Sequence, residues 1–136
     1  MSDLQRFVDA QDEGDTHDRA VAELRRGRKS SHWMWFVFPQ IAGLGRSAMA
    51  QRYAFAGADE ARDYLAHPVL GPRLREATQA VLDADAPDVT ALMGGVDALK
   101  LRSSLTLFAR VADDDLFERA LHRWFDGPDS ATTERL

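Results

Sequence analysis

Residues 27–54 hold most of the side chains that could do chemistry or bind a ligand. The stretch begins GRKSSHWMWFVFPQIAGLGRS, and four of the chain's twelve aromatic residues lie within six positions: Trp33, Trp35, Phe36 and Phe38. Two indole rings this close need hydrogen-bond partners for their N–H groups if both are buried. The run therefore fits either a buried part of the hydrophobic core flanked by solvent-exposed charged residues or one wall of a small-ligand pocket.

Polar side chains surround this aromatic run and would stand at the mouth of such a pocket. They are Arg28, Lys29, His32, Gln40 and Arg46. An aromatic wall with a few polar groups at its mouth is the usual composition of a small-ligand site. We therefore take these five residues, together with Trp33 and Trp35, as candidate ligand-binding residues.

The loop Gly43-Leu44-Gly45-Arg46-Ser47 is the sharpest candidate for an anion site. Its glycines allow close approach of the backbone, and the residues after it begin a helix whose first N–H groups are free. Such a helix start, with an arginine beside it, can hold a phosphate or a carboxylate. The P-loop spacing is missing and no strand precedes the loop. The alternative is a plain helix connection in which Ser47 is the N-cap.

A third group of polar residues lies further along the chain. Asp97, Lys100 and Ser104 share one helix face, with Ser103 adjacent. A lysine and hydroxyls beside a core face can contact a ligand, although an ion pair between Asp97 and Lys100 explains the spacing as well. We add Lys100 and Ser103 to the candidate ligand-binding residues. The four histidines show no metal-ligand spacing, so we predict no metal site, and no motif implies a cofactor.

Helical periodicity dominates the elements that must position these residues. The longest apolar stripe is Ala98, Leu101, Leu105, Phe108 and Ala112. Gly27 stands where a helix C′ residue belongs, and Gly127-Pro128 ends the last helix of the pattern. We predict an all-α fold, a single helical domain over residues 1–136 with at most one short irregular β element.

The aromatic run from Trp33 to Phe38 is the one segment with β-type composition. A lone strand has nothing to pair with. We interpret the run either as a buried helical turn capped by Ser30 or Ser31, or as a buried extended segment.

Composition limits the function classes. The chain has 136 residues, a formal net charge of −5 and 45% apolar residues, which is typical of a folded globular protein. The absence of cysteine excludes disulfides, thiolate zinc sites and cysteine nucleophiles. An acidic chain does not favour nucleic-acid binding. No signal peptide or membrane span is evident, so we expect a cytoplasmic protein without membrane partners, a monomer or a weak homodimer.

Four segments together resemble the bacterial domain-of-unknown-function 1810 family: residues 7–11 (FVDAQ), 27–47, 64–71 (YLAHPVLG) and 97–104 (DALKLRSS). The resemblance runs from about Leu4 to Gly127. It implies a mainly helical fold and no established activity. The calpastatin-like label sometimes given to that family does not suit this chain, because calpain inhibitors of that kind are disordered and this composition is that of a folded domain.

A few residues also resemble the NADAR group, helical proteins that act on ADP-ribose and related N-glycosides. The shared features are an early Phe-x-x-Ala-Gln segment, here Phe7 to Gln11, and a later glycine-rich loop. This resemblance implies cleavage of an N-glycosidic bond with a carboxylate as acid or base, and Asp9 and Asp97 are the candidates. Gln11 joins the candidate ligand-binding residues.

Two functions follow from these observations. The first is binding of a phosphate-bearing, nucleotide-type ligand, with processing of ADP-ribose-like N-glycosides as its catalytic form. The second is a non-catalytic helical module that contacts a protein partner through a tryptophan-rich face. The sequence leaves open whether the protein is an enzyme.

Overall fold

The computed structural model describes residues 3–136, and these residues are mainly α-helical. The helices are α1 (Gln5–Asp12), α2 (Thr16–Arg25), α3 (Met34–Val37), α4 (Ala48–Arg52), α5 (Ala58–Ala66), α6 (Leu70–Asp83), α7 (Val89–Met93), α8 (Gly95–Val111), α9 (Leu116–Trp124) and α10 (Ser130–Thr133). A 3₁₀ turn, Glu13–Asp15, joins α1 to α2. The all-α prediction is confirmed.

The longest helix, α8, lies at the centre of the packing. It contacts α3, α5, α7, α9 and α10, while α6 packs against α2, α5 and α9. Four residues of the stripe that predicts α8 are buried: Ala98, Leu101, Leu105 and Phe108. The 3.6-residue period therefore identified the face of α8 that enters the core.

A chain of aromatic contacts ties the N-terminal helix to α8 and α9. The rings of Phe7 and Tyr64 meet edge to face at 5.1 Å between centroids. Phe55 and Phe108 meet in the same way at 5.9 Å, and Phe108 lies 5.6 Å from Phe117. All five rings are fully buried. Edge-to-face pairs stabilise beyond their buried area, so this chain fixes the relative position of distant helices.

The run from Trp33 to Phe38 forms the helical turn α3, one of its two predicted conformations. The predicted caps are wrong, because Trp33 occupies the N-cap position and the Ser31 hydroxyl binds the Glu23 carboxylate instead. The short β element is an isolated parallel bridge between Ile41 and Phe55.

The C-terminal helix α10 lies beyond the predicted end of the helical pattern. Asp129 caps it, accepting a hydrogen bond from the backbone N–H of Thr132 at 3.0 Å. Within residues 3–136, no helix combines the length and the apolar character needed to cross a bilayer.

Candidate functional site

Helix α2 ends in a turn that sets the direction of the next segment. The N–H of Gly27 donates to the Leu24 carbonyl at 3.0 Å, and the N–H of Arg28 donates to the Glu23 carbonyl at 3.1 Å, the pattern of a Schellman motif. Gly27 has φ +81°, and a Cβ there would lie 2.4 Å from the Asp85 carbonyl oxygen. Only glycine fits, which confirms the predicted C′ position.

The Glu23 carboxylate organises the segment that follows this turn. Its Oε1 accepts hydrogen bonds from the Ser30 N–H at 2.7 Å, the Ser31 N–H at 3.0 Å and the Trp33 indole N–H at 3.0 Å. Its Oε2 accepts from the Ser31 hydroxyl at 2.5 Å. Burial alone would raise the pKa of Glu23, but these donors favour the ionised form and bring the pKa down to about 2. A buried, ionised carboxylate thus holds the segment in place.

Lys29 joins this segment to α7 and α8. Its backbone N–H donates to the Leu92 carbonyl at 2.8 Å. Its ammonium group donates to the Ser31 carbonyl at 2.6 Å and pairs with the Asp97 carboxylate at 2.8 Å. The side chain is only 7% exposed. The two walls of the cleft described next are therefore joined by an ion pair between a buried lysine and a half-buried carboxylate.

Between these walls lies a cleft of about 370 Å³. It is lined by Lys29, His32, Met34, Trp35, Met93, Gly94, Gly95, Val96 and Asp97. We call it the Trp35 cleft.

The indole of Trp35 carries the unusual feature of this cleft. Its Nε1 is buried and has no hydrogen-bond partner among residues 3–136. The Lys100 ammonium lies 5.1 Å from the centre of the ring and 3.8 Å from the Asp97 carboxylate. A buried donor without an acceptor is costly unless a water or a ligand satisfies it.

The first turn of α8 adds backbone donors to the same cleft. Gly94 occupies the N-cap with φ +87° and has no side chain to cap the helix. The first N–H with a backbone acceptor is that of Ala98, which donates to the Gly94 carbonyl at 2.9 Å. In the described part of the chain, the N–H groups of Gly95, Val96 and Asp97 have no acceptor. The positive end of the α8 dipole therefore faces the cleft region.

A family comparison matches the full chain, residues 1–136, to a family described as "Protein of unknown function (DUF1810)". The chain belongs to the DUF1810 family. The fold is very similar to the crystal structure of the conserved hypothetical protein Rv1873 from Mycobacterium tuberculosis, with 46% sequence identity and a TM-score of 0.94. That match covers 98% of this chain and 96% of the other. No curated protein matches.

These comparisons confirm the resemblance to DUF1810 that the four sequence segments indicate. The NADAR resemblance is not shown by them. Neither the family description nor that of the structural neighbour states an activity.

In this DUF1810 protein, six of the predicted site residues lie around the two walls. Lys29, His32, Trp35 and Asp97 line the Trp35 cleft, Lys100 covers the Trp35 ring, and Arg28 lies next to Lys29 in an adjoining groove. The ion pair that the spacing of Asp97 and Lys100 predicts is confirmed, since the two side chains lie 3.8 Å apart on α8. Asp97 also pairs with Lys29, so its role extends beyond the helix.

Three other predicted residues are engaged inside the protein. Trp33 is fully buried and donates its indole N–H to Glu23. Gln11 is 2% exposed and donates to the Phe36 carbonyl at 2.7 Å. The Ser103 hydroxyl donates within α8 and to the Asp129 carboxylate at 3.2 Å.

The two candidate catalytic carboxylates are in different surroundings. Asp97 lines the cleft between two lysines. Asp9 lies exposed on α1 and accepts a hydrogen bond from Gln5 at 2.9 Å. Gln40 takes part in the short bridge, where its carbonyl accepts from the Phe55 N–H at 2.9 Å.

The glycine loop from Gly43 to Ser47 does not line the Trp35 cleft. Ser47 is the N-cap of α4, accepting from the Ala50 N–H at 3.1 Å. A Cβ on Gly45 would lie 2.5 Å from the Ala50 Cβ, so this glycine packs closely on α4. The Arg46 side chain is exposed. As an anion site, the loop remains a prediction.

Three components of the site were not predicted from the sequence: Glu23, Leu92 and the Gly94-Gly95 pair. The signal for Glu23 was an acidic residue next to the apolar face of α2 that carries Ala20, Val21 and Leu24. The signal for Gly94-Gly95 was a glycine pair at the start of the longest helix. Within residues 3–136, no three His, Asp or Glu side chains are grouped to hold a metal ion.

Proposed function

We propose that the protein binds a phosphate-bearing, nucleotide-type small molecule in the Trp35 cleft. The observation that carries the proposal is the Trp35 indole, whose ring is covered by Lys100 while its buried Nε1 has no acceptor in the described chain. A planar group of the ligand would lie against this aromatic wall. The cleft volume, about 370 Å³, lies within the range of small-molecule sites.

The charges around the cleft favour an anionic group on that molecule. Two lysines, Lys29 and Lys100, pair with one carboxylate, that of Asp97. The chain as a whole has a net charge of −5, so this surface opposes the overall sign. A locally positive cleft with free backbone N–H groups attracts and holds phosphate.

Asp97 would carry any reaction on an N-glycosidic ligand. Hydrolysis adds water across the bond between the anomeric carbon and nitrogen, and a carboxylate stabilises the positive charge that develops on the sugar. Asp97 lines the cleft, whereas Asp9 does not. Asp97→Asn should therefore abolish turnover of such a substrate while leaving nucleotide binding measurable.

The test compares two cations named as candidate ligand-binding residues, the half-buried Lys100 and the exposed Arg46. Binding of AMP is measured by calorimetry for the wild type, Lys100→Met and Arg46→Met. Because a charge-assisted hydrogen bond contributes about 1.5–3 kcal/mol, Lys100→Met should weaken AMP at least about tenfold. Arg46→Met should bind like the wild type.

The reverse result, with binding lost only in Arg46→Met, would place the ligand at the glycine loop and overturn the proposal. Absence of AMP binding at millimolar concentration in the wild type would also overturn it. Melting temperatures of both variants serve as the control for folding.

A specific observation also favours the second candidate function, a protein-interaction module. Val96 and Leu99 on α8 are 68% and 66% exposed, an uncommon exposure for large apolar side chains lying one turn apart. The interaction surface would not be the tryptophan-rich face expected from the sequence, because Trp33 is fully buried. The partner would be a second copy of the chain. Sedimentation equilibrium of the wild type and Leu99→Glu tests this, and a monomer in both cases excludes it.

A further inference from the structure

A second groove adjoins the Trp35 cleft on the side of α7. Its volume is about 540 Å³, and it is lined by Gly27, Arg28, Lys29, Thr90, Ala91, Met93 and Gly94. Three of these residues, Lys29, Met93 and Gly94, also line the Trp35 cleft. The two spaces are therefore neighbours across one shared boundary.

The two spaces differ in the groups they present. The Trp35 cleft offers an indole ring and the side chains of Met34 and Val96. The second groove offers the Arg28 guanidinium and the Thr90 hydroxyl, and both residues are exposed. The Trp35 cleft suits a planar group with one phosphate beside it, and the second groove suits a further polar, negatively charged group.

The backbone around Arg28 and Thr90 is fixed on both sides of the groove. The Arg28 N–H donates to the Glu23 carbonyl at 3.1 Å, and the Thr90 carbonyl accepts from the Gly94 N–H at 2.8 Å. Between them, the Lys29 N–H donates to the Leu92 carbonyl at 2.8 Å. The fold therefore fixes the backbone of both residues relative to the Trp35 cleft.

We infer that this groove is a second subsite of the proposed ligand site, and that the ligand is a nucleoside diphosphate carrying a further sugar. This inference rests on the proposed function. The base and first phosphate occupy the Trp35 cleft, the second phosphate binds Arg28, and the terminal sugar lies at Thr90. Arginine suits the phosphate position because its guanidinium can donate two parallel hydrogen bonds to phosphate oxygens.

The experiment measures the dissociation constants of AMP, ADP and ADP-ribose by calorimetry. In the wild type, each added group should tighten binding, by about tenfold from AMP to ADP because a charge-assisted bond is gained, and by about threefold from ADP to ADP-ribose. Arg28→Gln should remove the first gain and leave AMP unchanged. Thr90→Val should remove the second gain alone.

The matched control is Arg25→Gln, which removes an exposed cation from the last turn of α2, outside the groove. It should leave all three affinities unchanged. Equal affinity for the three ligands, or an equal effect of Arg25→Gln and Arg28→Gln, overturns the second subsite. If AMP still binds and depends on Lys100, the proposed function stands and only this inference fails. If no nucleotide binds, the proposed function itself has failed.

Discussion

Trp33 and Trp35 stand two positions apart on one segment and face opposite surroundings. Trp33 is fully buried, its ring lies 6.1 Å from that of Phe38, and its indole N–H donates to Glu23. Trp35 is partly buried, its ring lies beneath Lys100, and its indole N–H has no partner in the described structure. Trp33 is closed in and its donor is paired, while Trp35 borders a cleft and its buried donor has no partner within residues 3–136.

Two tryptophans of one segment can therefore be told apart by whether the indole N–H has a hydrogen-bond partner. Within residues 3–136, three buried side-chain atoms lack a partner, and Trp35 Nε1 is the one whose residue lines the Trp35 cleft. The comparison can be tested by substitutions on the two sides, which should differ in their effect on stability.

The largest effect should come from Trp33→Ala. Removing a fully buried aromatic side chain leaves a cavity and costs about 3–5 kcal/mol. The substitution also takes a donor away from the buried Glu23 carboxylate. Urea unfolding measures the loss. A value below about 1 kcal/mol would contradict the assignment of Trp33 to the core.

Glu23→Gln should have the next largest effect. The amide keeps the shape of the side chain but loses the charge that strengthens four hydrogen bonds. We expect a loss of about 1.5–3 kcal/mol in the free energy of unfolding. Since the carboxylate holds the segment behind the cleft, the variant should also weaken AMP binding, with Gln79→Ala as an exposed control.

The same carboxylate predicts a pH dependence of stability. In the folded protein the pKa of Glu23 lies at about 2, below its ordinary value of 4.5. A lowered pKa stabilises the native state at pH values above the ordinary pKa, and this contribution is lost as the pH falls from about 4.5 toward about 2. The difference in unfolding free energy between wild type and Glu23→Gln should therefore be constant above about pH 5 and shrink below it. A difference that grows on acidification would refute the assignment.

The smallest effect should come from Trp35→Phe. An aromatic ring remains in the cleft, and the group that disappears is a donor with no partner among residues 3–136. We expect a change in stability of less than about 1 kcal/mol, in either direction. A loss as large as that of Trp33→Ala would mean that Trp35 is as structural as its neighbour.

Much of the fold was predictable because it depends on local rules. The stripe from Ala98 to Phe108 identified α8 and its buried face, and Gly27 identified the end of α2. Helix α10 was not predicted because it has only four residues, too few to show helical periodicity, and follows Gly127-Pro128. The predicted caps of α3 are wrong because Ser30 and Ser31 donate to Glu23, several residues earlier in sequence, and no serine hydroxyl accepts from the first N–H groups of that helix.

The candidate site was predictable in its residue types and less so in its assembly. Lys29, Trp35, Asp97 and Lys100 were identified from charge and aromatic content, but their proximity depends on the packing of two distant segments. The glycine loop has the Ser47 side-chain cap that the sequence predicts for a plain helix connection. Its use as an anion site stays a prediction.

The bond between the Lys29 N–H and the Leu92 carbonyl has a consequence for how the protein folds. It joins the first third of the chain to the last, as does the pair of Lys29 with Asp97. Contacts this far apart in sequence bear a large loop-closure entropy and form after the local helices. Residues of the cleft should therefore have φ-values near zero, and substitutions there should speed unfolding while leaving the folding rate almost unchanged.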